Sequence, residues 1–213
     1  MKLLQFMWAD RFEILQLSVE HMFLVLVAIA LAVLIGLPVG ILMTQNPRIG
    51  KPILTFANVI QTIPSLALFG FLIPIPYIGG IGSRTAIIAL LLYSLLPIIR
   101  NTYTGISGVD PAVREAARGM GMTQSQILWQ VELPLSLGFI FAGIRVATVI
   151  AVGVATIAAA IGAGGLGMFI FRGTSMLDYR LILAGAIPAA VIALGADFGM
   201  GLLERHFMKE RSS

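Results

Sequence analysis

The chain has no cysteine among its 213 residues, which excludes disulfides, thiol catalysis, zinc–thiolate sites and iron–sulfur clusters and leaves its redox compartment unreadable. Charge is scarce as well. Only 11% of residues are charged against 58% hydrophobic, with a mean hydropathy of +0.97, too little polar surface for a soluble domain of this length. There is no G-x-x-x-x-G-K-[ST] phosphate loop, so any ATP must be handled by another subunit. No internal repeat, low-complexity stretch or second soluble domain is visible. Residues 1–21 carry Asp10, Glu13 and Glu20 and lack the uninterrupted apolar core of a cleavable signal peptide. The net charge of +4 and a pI near 9.9 do not signal nucleic acid, because Lys and Arg sit in short segments between apolar runs, where membrane topology requires them.

What is present are apolar runs near 22–43, 53–73, 85–99, 137–161 and 181–203, each long enough with its flanks to approach the ~20 residues that cross a bilayer. The expected fold is therefore all-α: a polytopic membrane bundle of five transmembrane helices. With an odd number of spans the termini lie on opposite sides. One side holds Arg48, Lys51, Arg100, Arg114, Arg118, Arg205, Lys209 and Arg211, and the other holds Lys2, Arg11, Arg84, Arg172 and Arg180. The positive-inside rule then predicts the N-terminus outside and the C-terminus inside. The chain divides into an N-terminal interfacial segment at 1–21, a transmembrane domain at 22–205 and a cytoplasmic tail at 206–213. In the first of these Leu3, Leu4, Met7, Trp8, Phe12 and Leu15 share roughly one helical face, which suits a helix lying in the interface.

The cytoplasmic loop at about 100–136 shows its helices by their ends. Asp110 supplies an N-cap oxygen and Pro111 a first helical position whose missing N–H costs nothing. Gly121 suits the left-handed residue that closes such a helix, and Thr123 with Gln126 has the spacing of a capping box opening a second one, expected to end near Pro134. Small residues Ala112, Ala116 and Ala117 permit close approach of a partner, while Arg114, Glu115 and Arg118 are placed to fix its orientation. An ordinary solvated linker helix has the same caps.

The motif Glu115-Ala116-Ala117, three residues, Gly121, nine residues, Val131-x-Leu133-Pro134 resembles the signature of permease subunits of binding-protein-dependent ABC importers, with Val131 standing for isoleucine. Asn58-Val-Ile-Gln61-Thr62-Ile-Pro64-Ser65, Leu95-Leu-Pro97-Ile-Ile-Arg100-Asn101-Thr102-Tyr103-Thr104-Gly105 and Ile161-Gly-Ala-Gly-Gly-Leu-Gly167 resemble the glycine betaine, carnitine and choline branch, over residues from about 20 to 205. The resemblance implies a coupling helix seated in a cleft of an ABC ATPase subunit, carried to Glu115, Ala116, Ala117 and Gly121; Asp110, Arg114, Arg118 and Gly119 of the same helix are read as coupling residues beside them. It also implies an extracytoplasmic substrate-binding protein, a second permease subunit in a homodimer or heterodimer, and location in the cell membrane of a bacterium or archaeon. On this reading the chain is no enzyme and needs no metal or cofactor. Importers of another small solute, such as an amino acid, share the motif. An ion-coupled secondary transporter would need inward acidic or histidine relays and inverted repeats, which are not found. An intramembrane hydrolase would need more than Glu20-His21 at a span's edge.

Three further features stand inside the spans. Asn58, Gln61, Thr62 and Ser65 recur at i, i+3, i+4 and i+7 and would line one face of the second span, either a translocation path or interhelical hydrogen bonds. Pro64 within that stripe is placed to kink the span. Arg145 lies roughly 12 Å and Asp197 roughly 9 Å from the cytoplasmic ends of their spans at 1.5 Å per residue, a depth that suits an ion pair; Arg145 snorkelling to the headgroups is the alternative. Residues 162–167 satisfy G-x-G-x-x-G, yet follow a membrane span with no strand before them and no acidic residue at the distance a dinucleotide site needs. Those glycines suit a tight turn and close packing at the outer end of the fourth span.

Overall fold

A computed structural model of the chain describes residues 3–209, and among them there are helices and turns but no strand. In chain order the helices are α1 (Leu3–Ala9), α2 (Arg11–Gln45), α3 (Pro47–Thr62), α4 (Ser65–Leu72), α5 (Ser83–Ser107), α6 (Pro111–Gly119), α7 (Gln124–Ile127), α8 (Leu133–Ala158), α9 (Gly167–Met176) and α10 (Tyr179–Lys209). Among the described residues four helical stretches are long and apolar enough to cross a bilayer alone: Arg11–Gln45, Ser83–Ser107, Gln124–Ile161 and Tyr179–Arg205. The fifth crossing is α3–α4, bent by 104°. It has to cross, because α2 ends beside the start of α8 while α5 begins beside the end of α8. Thr44 and Gln45 share a cavity with Glu132, and the Gly82 N–H donates to the Ile161 carbonyl at 2.9 Å. The five crossings place the described ends of the chain at opposite ends of the bundle.

The boundary expected at residue 21 is not a break. Arg11–His21 form the first turns of α2, and only Leu3–Ala9 make a separate helix. The reason is a continuous buried stripe, Ile14, Leu17, His21, Leu24, Ala28, Ala32, Gly36, Gly40 and Met43, whose steps of three and four residues keep one face of α2 on the bundle throughout. Of the expected tail, residues 206–209 continue α10, while 210–213, with Lys2 and Arg211, lie outside the described residues.

Pro134 does not end a helix either. Leu128–Glu132 form a π-helical turn, with the Leu133 N–H bonded to the Leu128 carbonyl, and α7, this turn, α8 and the 3-10 turn Ala159–Ile161 run on as one 38-residue stretch. The wider turn leaves space for the proline ring just where the hydrogen-bond ladder is already interrupted. The break expected as a kink at Pro64 is complete. Ile63 and Pro64 are extended (ψ 126° and 138°), as a residue before proline prefers, so α3 and α4 are separate helices.

The core lies among α2, α4, α5 and α8, where Leu24, Ala28, Phe69, Ala89, Leu90, Ala151 and Ala155 pack together. Close approach depends on particular glycines. A Cβ at Gly143 would sit 2.7 Å from Asn101 Cβ and 2.8 Å from the Pro97 carbonyl, and one at Gly40 2.7 Å from Thr102 Cβ, so α5 touches α8 and α2 nearly backbone to backbone. Gly195 and Gly199, spaced on α10 as Gly36 and Gly40 are on α2, face open space. A second apolar cluster of Ile14, Leu17, Leu166, Phe169, Leu181 and Ala184 binds α9 and α10 to the N-terminal half of α2.

Candidate functional site: the elbow between the third and fourth crossings

The elbow is organised by its caps. Asp110 Oδ1 accepts from the Ala112 N–H at 2.8 Å. At the other end of α6 the Met122 N–H reaches the Ala117 carbonyl (3.1 Å) and the Gly121 N–H the Arg118 carbonyl (2.9 Å), with Gly121 left-handed at φ 83°. The Thr123 hydroxyl and Gln126 side chain then exchange bonds with each other's backbone N–H, at 3.3 and 2.8 Å, starting α7. These bonds satisfy donors and acceptors that helix ends otherwise leave open, so the elbow holds its shape with little core beneath it.

Two of the expected docking residues point inward instead. Ala117 is 2% exposed, packed under α6. The Arg114 guanidinium donates through Nη2 to the Ile106 carbonyl at the end of α5, and its Nε lies 2.8 Å from Oε1 of Glu132, itself 6% exposed at the foot of α8. Arg114 therefore ties α6 to both neighbouring spans; an arginine fork reaches two acceptors that a lysine would not. Nothing in the spacing of residues 114 and 132 identified Glu132, whose charge was hidden inside the conserved-looking Val-Glu-Leu-Pro string. The remaining expected residues, Glu115, Ala116, Arg118, Gly119 and Gly121, are exposed, together with Met120 at 75%. Arg118 also borders a polar cavity of about 210 Å³ shared with Thr44, Gln45, Ser107, Arg114 and Glu132.

The polar stripe of the second span does not survive as one face. Ser65 begins α4, beyond the break, so it cannot continue the helical register of Asn58, Gln61 and Thr62. Asn58 Oδ1 accepts from Arg100 at 3.2 Å and Gln61 Nε2 donates to the Tyr93 carbonyl at 3.0 Å, while the Thr62 hydroxyl bonds back to Val59 within its own helix. The Tyr93 hydroxyl donates to the Ile63 carbonyl at the break. Asn58 and Gln61 thus fasten the broken crossing to α5, while the Tyr93 hydroxyl supplies the partner that the Ile63 carbonyl needs at membrane depth.

Arg145 and Asp197 lie in bidentate contact, Nε to Oδ1 at 2.5 Å and Nη2 to Oδ2 at 2.7 Å, joining α8 to α10. Glu204, about two turns further along α10, comes within 3.9 Å of the same guanidinium, and the group borders a cavity of about 310 Å³. Glu204 was not foreseen, since its position near the end of a span reads as an ordinary interfacial charge.

At the opposite end of α8, Gly162, Gly164 and Gly165 all take left-handed φ (73°, 82° and 77°). The Gly165 N–H donates to Glu20 Oε2 at 3.2 Å, and His21, 0% exposed, places Nε2 3.2 Å from the Val152 carbonyl. Neither partner was foreseen from the glycine motif. Outside the spans, Arg180 holds the Asp178 carboxyl down to about 2 by a side-chain hydrogen bond, aided by the Arg180 backbone N–H. Among the described residues no group of three His, Asp or Glu side chains is placed to hold a metal ion.

Comparison with known proteins is consistent across sequence and shape. The chain is 46% identical over 185 residues (87% of this chain, 84% of the relative) to the carnitine transport permease protein OpuCB of Listeria monocytogenes. It is 46% identical over 193 residues (90% and 83%) to the glycine betaine/carnitine/choline transport system permease protein OpuCD of Bacillus subtilis. A chain of the MetNI methionine ABC transporter, solved in inward-facing conformations, shares the fold with a TM-score of 0.81 at 24% identity, covering 91% of this chain and 96% of that one. Residues 32–209 match the family model for the inner membrane component of binding-protein-dependent transport systems. With five crossings, a capped elbow and relatives of this kind over most of its length, the chain belongs to that family, as a multi-pass inner membrane component that leaves ATP hydrolysis to a partner.

Proposed function

We propose that the chain forms half of the translocation pathway of an importer for a small quaternary ammonium osmoprotectant, such as glycine betaine, carnitine or choline, and couples to its ATPase through α6. The substrate class rests on the relatives, which are transport permeases for these compounds. The coupling role rests on one observation: α6 is exposed on the face carrying Glu115, Ala116 and Gly119, yet tied through Arg114 to the end of α5 and the start of α8. A helix so fixed transmits displacement to two crossings at once, because packed elements move as bodies rather than deforming. The elbow faces the cytoplasm in this reading, with the N-terminus outside.

The mechanism is alternating access. ATP draws two nucleotide-binding subunits together, the α6 helices of two permease subunits follow, and the far ends of the crossings part for a loaded binding protein. Asp110 and Gly121 set the ends of α6, Glu115, Ala116, Arg118 and Gly119 form the contact surface, and Arg114 and Ala117 anchor it from below. Thr62 and Ser65, on either side of the break, are the path-facing positions, since Asn58 and Gln61 are engaged with α5. The Arg145–Asp197 pair locks α8 to α10 so that both follow the elbow. Co-expression with the ATPase subunit tests the reading. Gly121→Val is expected to leave the complex assembled while abolishing ATP-driven uptake of radiolabelled glycine betaine, carnitine and choline in proteoliposomes; normal uptake in that variant overturns it.

A further inference from the structure

We infer that Glu20 and His21 are positioning residues that clasp the glycine turn at 162–165 onto α2 and hold the end of the bundle opposite the elbow closed in the resting complex. Four elements meet at this turn. Ile161 receives the Gly82 N–H that starts α5, Val152 of α8 receives His21, Gly165 donates to Glu20, and Arg172 of α9 lies 3.2 Å from Glu13 of α2.

The glycines are fitted to the two residues of α2 and not only to the turn. A Cβ at Gly164 would stand 2.6 Å from Glu20 Oε2, and one at Gly165 3.2 Å from His21 Nδ1 and 3.3 Å from its Cα. One left-handed glycine suffices for a turn; two successive ones without side chains let α2 reach the backbone itself. His21 is fixed: its Nε2 must donate, since a carbonyl only accepts, and Nδ1 is buried against Gly165 without a partner. Glu20 is different. Its Oε1 accepts from Gln16 Nε2 at 3.1 Å on the exposed side, and it lies beside a cavity of about 400 Å³ bordered by Val19, Phe23, Leu24, Ser83 and Ala163, into which its carboxylate can swing when the Gly165 N–H is released. A fixed wall and a releasable charge-assisted bond make a clasp that opens without unpacking the core.

The cysteine-free chain offers a direct test. Ala163, 9% exposed beneath the clasp, is replaced as Ala163→Cys, and the rate of maleimide labelling is followed in the detergent-solubilised full complex without nucleotide. Adding Glu20→Ala is expected to raise that rate about tenfold or more, the scale of one lost charge-assisted hydrogen bond, whereas Glu20→Gln, whose amide oxygen still accepts, stays within about twofold of the parent. If Glu20→Ala does not assemble, Glu20→Asp, one methylene short of Gly165, is expected to label as fast. No acceleration in either short variant, or equal acceleration with Glu20→Gln, overturns the clasp. No nucleotide enters the experiment, so its failure is distinct from a failure of coupling at the elbow.

Discussion

At one end of α8 the chain turns through residues 108–132 with side-chain caps, an ion pair and a glycine in open space; at the other it turns through 159–165 with three left-handed glycines, two of them pressed on Glu20 and the buried His21 of α2. The first turn supports itself from within its own sequence neighbourhood, apart from the Arg114 tie, and so leaves its outer face free for another protein. The second is held by α2, 145 residues earlier in the chain, and cannot be separated from the bundle. On the proposed roles, the turn that docks has local stability and the turn that seals has contacts from elsewhere.

The largest expected effect sets the two turns against each other. Gly165→Val combines left-handed strain with collision on His21 and should cost about 3 kcal/mol or more, whereas Gly121→Val meets nothing within 4 Å and carries only the strain, about 1–2 kcal/mol. Thermal unfolding of the purified complex measures both, and equal melting temperatures would break the contrast. Next comes Glu132→Gln, which leaves Arg114 without its charge partner at a half-buried site. A loss of about 2 kcal/mol is expected, with uptake reduced more than ATPase activity, and Arg114→Glu with Glu132→Arg recovering part of the loss. If ATPase and uptake fall in proportion, Arg114 stabilises the elbow without conveying motion.

Asp110→Ala removes an N-cap and should cost about 1 kcal/mol, seen as faster amide exchange confined to the first turn of α6. Exchange spreading into α8 would mean that the elbow is less self-supporting than its caps imply. The smallest effect concerns Asp178, near the glycine end. Its pKa is lowered from 3.8 to about 2, so its contribution is complete above its ordinary value and disappears as pH falls through about 2. Asp178→Asn should flatten that part of the acid melting profile, while an unchanged profile would show that the Arg180 contact contributes nothing to stability.

Much of the elbow was legible from sequence because caps act over three or four residues: Asp110 with Pro111, Thr123 with Gln126 and Gly121 each declare a helix end locally. The crossings were legible for a similar reason, since about 20 apolar residues in a row suffice for a span, although α2 and the stretch leading into α8 begin well before their apolar runs. The extension of α2 back to Arg11 escaped notice because the buried face is a stripe of single positions while acidic residues occupy the other faces. The polar stripe misled for the opposite reason: periodicity assumes an unbroken helix, and Pro64 divides it so that Ser65 belongs to the next one.

Composition and spacing by themselves determined that this chain lives in a membrane, crosses it five times and carries an ordered elbow, because hydrophobic length and helix capping are short-range properties. Only the tertiary structure decided that Arg114 turns inward to the end of α5, that Glu132 receives it, that Asn58 and Gln61 brace α5, and that Glu20 and His21 meet the glycine turn. Those pairings join residues from 18 to 145 positions apart. Which distant side chains meet depends on how the helices cross, and the crossing is set where glycines such as Gly40, Gly105 and Gly143 let one backbone rest on another.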